Sequence, residues 1–175
     1  SPIALSIEEM VTLVDHEILS IRQAAMGMLD SSVSRVRAQM GVGVGAVDSD
    51  WDDTRAWAFA YFREHFSQND WTPGLLVSIC DSVKEDVQRF GREMITRHFR
   101  TEDGGRYRVE LSEHPSTDLQ LFVTNYLERY ASGSAQRITD LVPYFRRVLC
   151  GVNKGRTTKR RILAFMRCEV EGSPE

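Results

Sequence analysis

Cys80-Asp81-Ser82-Val83-Lys84-Glu85-Asp86-Val87-Gln88-Arg89-Phe90-Gly91 is the clearest copy of a twelve-residue cassette that occurs four times in the chain. The same layout covers residues 14–25 and 47–58 and, more weakly, residues 112–123. The copies begin at 14, 47, 80 and 112, in steps of 33, 33 and 32 residues. Self-similarity at that period is the mark of a helical repeat array, in which each unit is a helix pair. Ala25, Ala58 and Gly91 end the first three copies and are small, as residues must be where helices cross closely. An acid (Asp15, Asp48, Asp81, Glu113) stands in each turn before a second helix, where a carboxylate accepts orphan N–H groups and complements the helix dipole.

Helical spacing fills in the units around the cassette. Ser6 stands three residues before Glu9, the capping-box arrangement, and opens a short helix with Met10, Leu13 and Val14 on its apolar side. After Asp15, Ile18, Ile21, Ala25, Met28 and Leu29 form one stripe of a second helix. In residues 33–47, Gly41, Gly43 and Gly45 alternate with valine. Each mid-helix glycine costs about 1 kcal/mol against alanine, so this helix is expected to be short, frayed or replaced by loop. Its partner, residues 52–66, turns Thr54, Trp57, Ala58, Tyr61, Phe62 and His65 inward.

The third unit opens with Thr72 as N-cap and Pro73 at the first helical position, where a missing N–H costs nothing. Leu75, Leu76, Ile79 and Cys80 face inward there, followed by Val87, Phe90, Gly91, Met94, Ile95, His98 and Phe99. Residues 107–111 suit a short strand or a degenerate helix. Pro115-Ser116-Thr117 starts a helix carrying Leu119, Phe122, Val123, Tyr126, Leu127 and Tyr130. In residues 135–150, Ile138, Leu141, Val142, Phe145, Val148 and Leu149 share a face that Pro143 should kink or divide. Thr157 or Thr158 caps a last helix with Ile162, Leu163 and Met166 inward.

At this point the chain resembles the HEAT-like repeats, an α-solenoid family. The resemblance covers residues 6–131, with a period below the 40–47 residues usual for such repeats. It implies an all-α, right-handed solenoid of about four helix pairs (6–30, 33–66, 72–100, 107–131) with a helical cap at 135–169, in one domain, 1–175. It also implies a ladder between neighbouring repeats, built from turn aspartates and second-helix arginines: Asp15, Arg22, Asp48, Arg55 and Asp81. Gln88 and Gln120 take the arginine position in the later copies. The start at Ser1-Pro2 suggests a segment of a longer protein.

Charge is unevenly spread over a chain of net charge −3. Residues 1–133 hold 13 Lys and Arg against 21 Asp and Glu, a balance of −8. Residues 134–168 hold nine against one, a balance of +8. Such asymmetry points to two different contact surfaces. The basic set, Arg146, Arg147, Lys154, Arg156, Lys159, Arg160, Arg161 and Arg167, is the partner-binding candidate. It could meet acidic protein surface or phosphate, or form the polar outer face of an end cap.

Catalytic patterns are weak. Gly41 to Gly45 lacks the strand, helix and Lys-Ser/Thr context of a phosphate loop. His16, His65, His98 and His114 have no metal-ligand spacing, and no metal or cofactor is expected. Three cysteines (Cys80, Cys150, Cys168) form neither a disulfide framework nor a zinc knuckle and suit a reducing, intracellular setting. Asp50, Asp52 and Asp53 beside Trp51 and Trp57 could make an acidic, aromatic corner. Some DNA glycosylases are also built from HEAT-like repeats, but no motif here carries their catalytic residues across. Phe59 lies off the inward stripe, either as a partner anchor or under a neighbouring helix. The expected function is a non-catalytic protein-interaction scaffold, its partner another protein or a domain of the parent chain. A nucleic-acid-binding, glycosylase-like domain is the alternative.

Overall fold

Ser6 and Glu9 cap each other. The Glu9 amide donates to Ser6 Oγ at 3.1 Å, and the Ser6 amide donates to the Glu9 carboxylate at 2.7 Å. That reciprocal pair starts α1 (Ile7–Leu13) in the computed structural model, which describes residues 5–112, 116–150 and 156–172. The described residues are helical or in turns, with no strand among them. They fall into two compact units, Ser1–His98 and Phe99–Glu175, where the repeat reading has one domain.

In the first unit α1 packs on α2 (Leu19–Asp30). The glycine-rich stretch breaks into α3 (Val33–Ala38), α4 (Met40–Gly43) and a 3₁₀ turn, Val44–Asp48. The break itself falls at Gln39, and the three glycines after it carry no more than one α-helical turn and a 3₁₀ turn, in keeping with their cost to a longer helix. Next come α5 (Asp52–His65), α6 (Pro73–Cys80) and α7 (Glu85–His98). Thr72 caps α6 through the Leu75 amide, with Pro73 at its first turn.

Two layers result. Residues 40–48 lie between α1 and α6 in one layer, while α2, α5 and α7 make the other. Side-chain partners across α5 and α7 are Arg55/Asp86, Phe59/Phe90 and Arg63/Glu93. Their separations of 31, 31 and 30 residues stay nearly constant along the helices, as only parallel neighbours allow. The interior between the layers is built from Ile7, Leu29, Phe62, Leu76, Phe90, Met94 and Ile95, all essentially solvent-free. Each such side chain contributes roughly 1.5–3 kcal/mol by burial. At the tightest crossing, a Cβ on Gly91 would stand 2.7 Å from Cys80 Sγ and 3.0 Å from the Cys80 amide nitrogen. Only glycine lets α6 and α7 approach that closely.

The inward stripe of α2 is rotated from the expected one. Arg22, Ala25 and Leu29 are buried, while Ile18 and Met28 are exposed. The turn is toward α5, where Arg22 finds its partner. Phe59 lies under a neighbouring helix: its ring stacks on Phe90 at 4.5 Å.

His98 ends α7, buried against the Trp71 ring at 5.9 Å, with Nε2 lacking a hydrogen-bond partner among the described residues. Burial, aided by the charge of Arg97 and opposed by Asp70, holds the imidazole below its ordinary pKa. A depressed folded-state value means that the unfolded chain binds the extra proton first. The associated stability is therefore complete above the unfolded value of about 6.5 and is lost as pH falls below it. The urea midpoint should drop between pH 7 and pH 5, and His98→Gln should flatten that drop. An unchanged slope in the variant would remove His98 as the cause.

In the second unit a 3₁₀ turn, Thr101–Asp103, leads into α8 (Gly104–Ser112), so residues 107–111 are helical. Ser116 caps α9 (Thr117–Ala131) through the Leu119 amide. Then follow α10 (Ala135–Cys150) and α11 (Arg156–Glu171). Pro143 does not divide α10. It lies on the exposed side with Thr139, where the carbonyl that loses its donor meets water. Because α11 begins at Arg156, Thr157 and Thr158 lie inside its first turn.

Leu119, Leu141, Phe145, Val148 and Ile162 form this unit's core, with Phe165 against Phe145 at 5.9 Å. Thr124 and Tyr144 hydroxyls share a buried hydrogen bond of 3.2 Å. Val142 and Leu163, expected inward, are exposed, and Tyr144 is buried instead. Gly133, at φ +70°, makes the turn after α9. Its amide and the Ser132 hydroxyl both donate to Glu169 at 3.0 Å, tying the end of α11 to that turn.

Candidate interaction surfaces

The three cassette turns of the first unit are latched to one another by a repeating set of bonds. Asp15 Oδ1 accepts from Ser49 Oγ at 2.6 Å, and Asp48 Oδ1 accepts from Ser82 Oγ at 2.6 Å. The Asp15 carbonyl accepts from Trp51 Nε1 at 3.1 Å, and the Asp48 carbonyl from Lys84 Nζ at 2.6 Å. An indole N–H and an ammonium thus do the same work at equivalent positions.

The arginines form a second set. Arg22 Nη2 reaches both Asp53 oxygens at 3.0 and 3.2 Å, while Nη1 donates to the His16 and Glu17 carbonyls. Arg55 repeats this one unit later, with Nε on Asp86 at 2.7 Å, Nη1 on the Ser49 carbonyl and a further contact to Asp52. Gln88 keeps only the backbone bond, to the Ser82 carbonyl at 2.7 Å. Burial would push the Asp53 and Asp86 carboxyls up, but arginine hydrogen bonds and charge with nearby amides hold both below the usual range.

Of the expected ladder residues, Asp15, Arg22, Asp48 and Arg55 bridge neighbouring turns, though with partners other than one another. Asp15 and Asp48 bond to serines of the next turn rather than to Arg22 and Arg55. The arginines take Asp53 and Asp86, which open the next second helix. Ser49, Ser82, Asp53, Asp86 and Lys84 were not singled out from the sequence as rung residues. Their signal was present as cassette positions three, five and seven of the following copy.

The same pairings dissolve the acidic, aromatic corner. Asp50 faces Lys84 at 3.0 Å, Asp52 meets Arg55, and Asp53 meets Arg22. Trp51 covers the Arg22 guanidinium at 4.2 Å, and Trp57 Nε1 donates to Asp30 at 3.3 Å. All but Asp52, which pairs within α5, are engaged across neighbouring turns or helices. Burial pushes the Cys80 thiol up to about 12, far from a thiolate nucleophile. His16 Nδ1 accepts from the Ile18 amide, and His65 meets Tyr61 edge-on at 5.1 Å. His114 lies outside the described residues. Among the described residues no group of His, Cys, Asp and Glu is arranged to hold a metal ion, and no helix is long and apolar enough to cross a membrane.

What the latches leave outside is a strip of turn tips. Ile18 and Leu19 are each 49% exposed, Trp51 37% and Val83 93%, at positions four to six of successive cassettes. Around them, residues 15–20, 48–53 and 81–86 hold nine acids against Lys84 alone. A cleft of about 500 Å³ between the first two turns is lined by Val11, Asp15, His16, Gly45, Asp48 and Ser49.

The basic set lies on α10 and α11 of the second unit. Arg146 and Arg160 are exposed, and Lys159 is half-buried. Arg161 is 3.5 Å from Glu128, and Arg167 is 2.8 Å from Glu171. Lys154 lies outside the described residues; Arg147 and Arg156 are placed in α10 and α11 by backbone alone. On α11, Leu163 is 55% and Val170 77% exposed, flanked by Arg160 and Arg167 at the same seven-residue spacing. No protein-family model, curated protein or solved structure matches the chain.

Proposed function

We propose that the chain is a HEAT-like α-solenoid acting as a non-catalytic protein-interaction module. The helix pairs α1/α2, 40–48/α5 and α6/α7 are its repeats, α8/α9 a fourth pair and α10/α11 the basic cap. The constant offset between parallel second helices supports the solenoid reading. Three unpaired thiols, one of them buried, suit a reducing interior.

The observation that carries the interaction reading is the strip of turn tips. Single exposed apolar residues need no explanation, but here they recur at cassette positions four to six of three latched turns, among nine acids and one base. Such a surface fits a basic segment with apolar side chains from another protein or another domain of the parent chain.

Fluorescence anisotropy with a labelled lysine–leucine peptide tests the reading, with a glutamate–leucine peptide and a short DNA duplex as comparisons. The lysine–leucine peptide should bind, more weakly as salt rises. Leu19→Ser with Val83→Ser should weaken it about tenfold, as loss of central apolar anchors does. Equal binding by that variant, or preferential DNA binding lost in Arg160→Glu, would overturn it.

A further inference from the structure

We propose that the basic segment docked by the turn edge is α11 of a second copy of this chain, giving an open head-to-tail contact. The inference rests on the partner-binding reading above and names its partner. Each face presents exposed side chains within its own unit. They are opposite in net charge: nine acids against one base in the three turn windows, and on α11 five bases (Arg156, Lys159, Arg160, Arg161, Arg167) against Glu169 and Glu171. Each also carries exposed aliphatic side chains, Ile18, Leu19 and Val83 on one, Leu163 and Val170 on the other.

Their spacings agree as well. Seven helical residues rise about 10 Å, which separates Leu163 from Val170 and Arg160 from Arg167. Packed helices stand about 8–10 Å apart, which sets the step from one turn tip to the next. Leu163 and Val170 can therefore meet successive turns, with Arg160 and Arg167 beside successive acid groups. Because the two surfaces are different patches, the contact does not close on itself, and each docked copy leaves one of each free.

Sedimentation equilibrium on the full chain tests this. The wild type should exceed its 20.0 kDa chain mass as concentration rises and return toward it in high salt. Two variants separate the surfaces: Leu19→Ser with Val83→Ser on the edge, and Arg160→Glu with Arg167→Glu on α11. Each alone should be monomeric. Mixed in equal amounts they should form a 1:1 dimer and nothing larger, since only one intact pair of surfaces remains; that rescue also shows both variants to be folded. A monomeric wild type, or a mixture that stays monomeric while the wild type associates, would overturn the proposal. If the wild type is monomeric yet the lysine–leucine peptide still binds the edge, only self-assembly falls; if neither occurs, both readings fall.

Discussion

Phe90→Ala is expected to lower the stability of the first unit by about 3–5 kcal/mol. The ring is 1% exposed, stacks on Phe59 with centroids 4.5 Å apart, and lies 5.2 Å beneath the Arg63 guanidinium. Truncation removes the transfer energy of a whole aromatic side chain and leaves a void walled by two helices. The Arg55–Asp86 and Arg63–Glu93 pairs lie along the same two helices on either side of that site. Leucine, keeping most of the volume, should cost about 1.5 kcal/mol or less. Urea midpoints of the three proteins, at equal slope, read this directly. A loss under about 1 kcal/mol for alanine would mean that α5 and α7 share no interior at that point.

Arg22→Met should cost about 2–3 kcal/mol, the largest effect of any single charge in the first unit. The arginine side chain is 7% exposed and Asp53 44%. Its loss removes hydrogen bonds from a charged group to the His16 and Glu17 carbonyls and to Asp53, and such bonds are worth about 1.5–3 kcal/mol. Asp53 can be rehydrated, which keeps the total below that of a fully buried pair. Methionine retains the packing under Trp51, so the measured change reports the polar groups rather than a cavity. Arg63→Met is the internal comparison. Arg63 and Glu93 are 38% and 44% exposed, so that pair should be worth under about 1 kcal/mol despite its shorter 2.7 Å contact. Equal losses in the two variants would show that burial does not distinguish the rungs from an ordinary surface pair.

Recurrence made the helix pairs legible. The cassette period places the turns, and local chemistry places the boundaries: Ser6 with Glu9, Thr72 with Pro73, and Ser116 each cap the helix that follows. Interactions between near neighbours in sequence are readable because the chain itself brings those groups together. The same holds for the short helical turns at Gly41, Gly43 and Gly45, since glycine's penalty is local. Ala25, Ala58 and Gly91 were legible as close crossings because three successive units show a small residue at the same place.

The exposed edge was much less legible. Ile18 and Leu163 match the inward spacing of their helices yet face outward. A stripe wide enough to be apolar on several residues does not state which side its neighbour occupies. Asp53 and Asp86 read as ordinary first-turn acids, and only a second helix lying parallel at an offset of 31 residues turns them into arginine partners.

By itself, then, the amino-acid order determines the helices, their caps, the repeat and the separation of acidic from basic chain, because these follow from spacing and composition. The tertiary structure decided that Arg22 and Arg55 reach forward to the next unit, that α10 continues through Pro143, and that Ile18, Leu19, Val83, Leu163 and Val170 remain outside. Those outcomes depend on which surfaces meet across tens of residues, and that choice belongs to the packing of the whole chain.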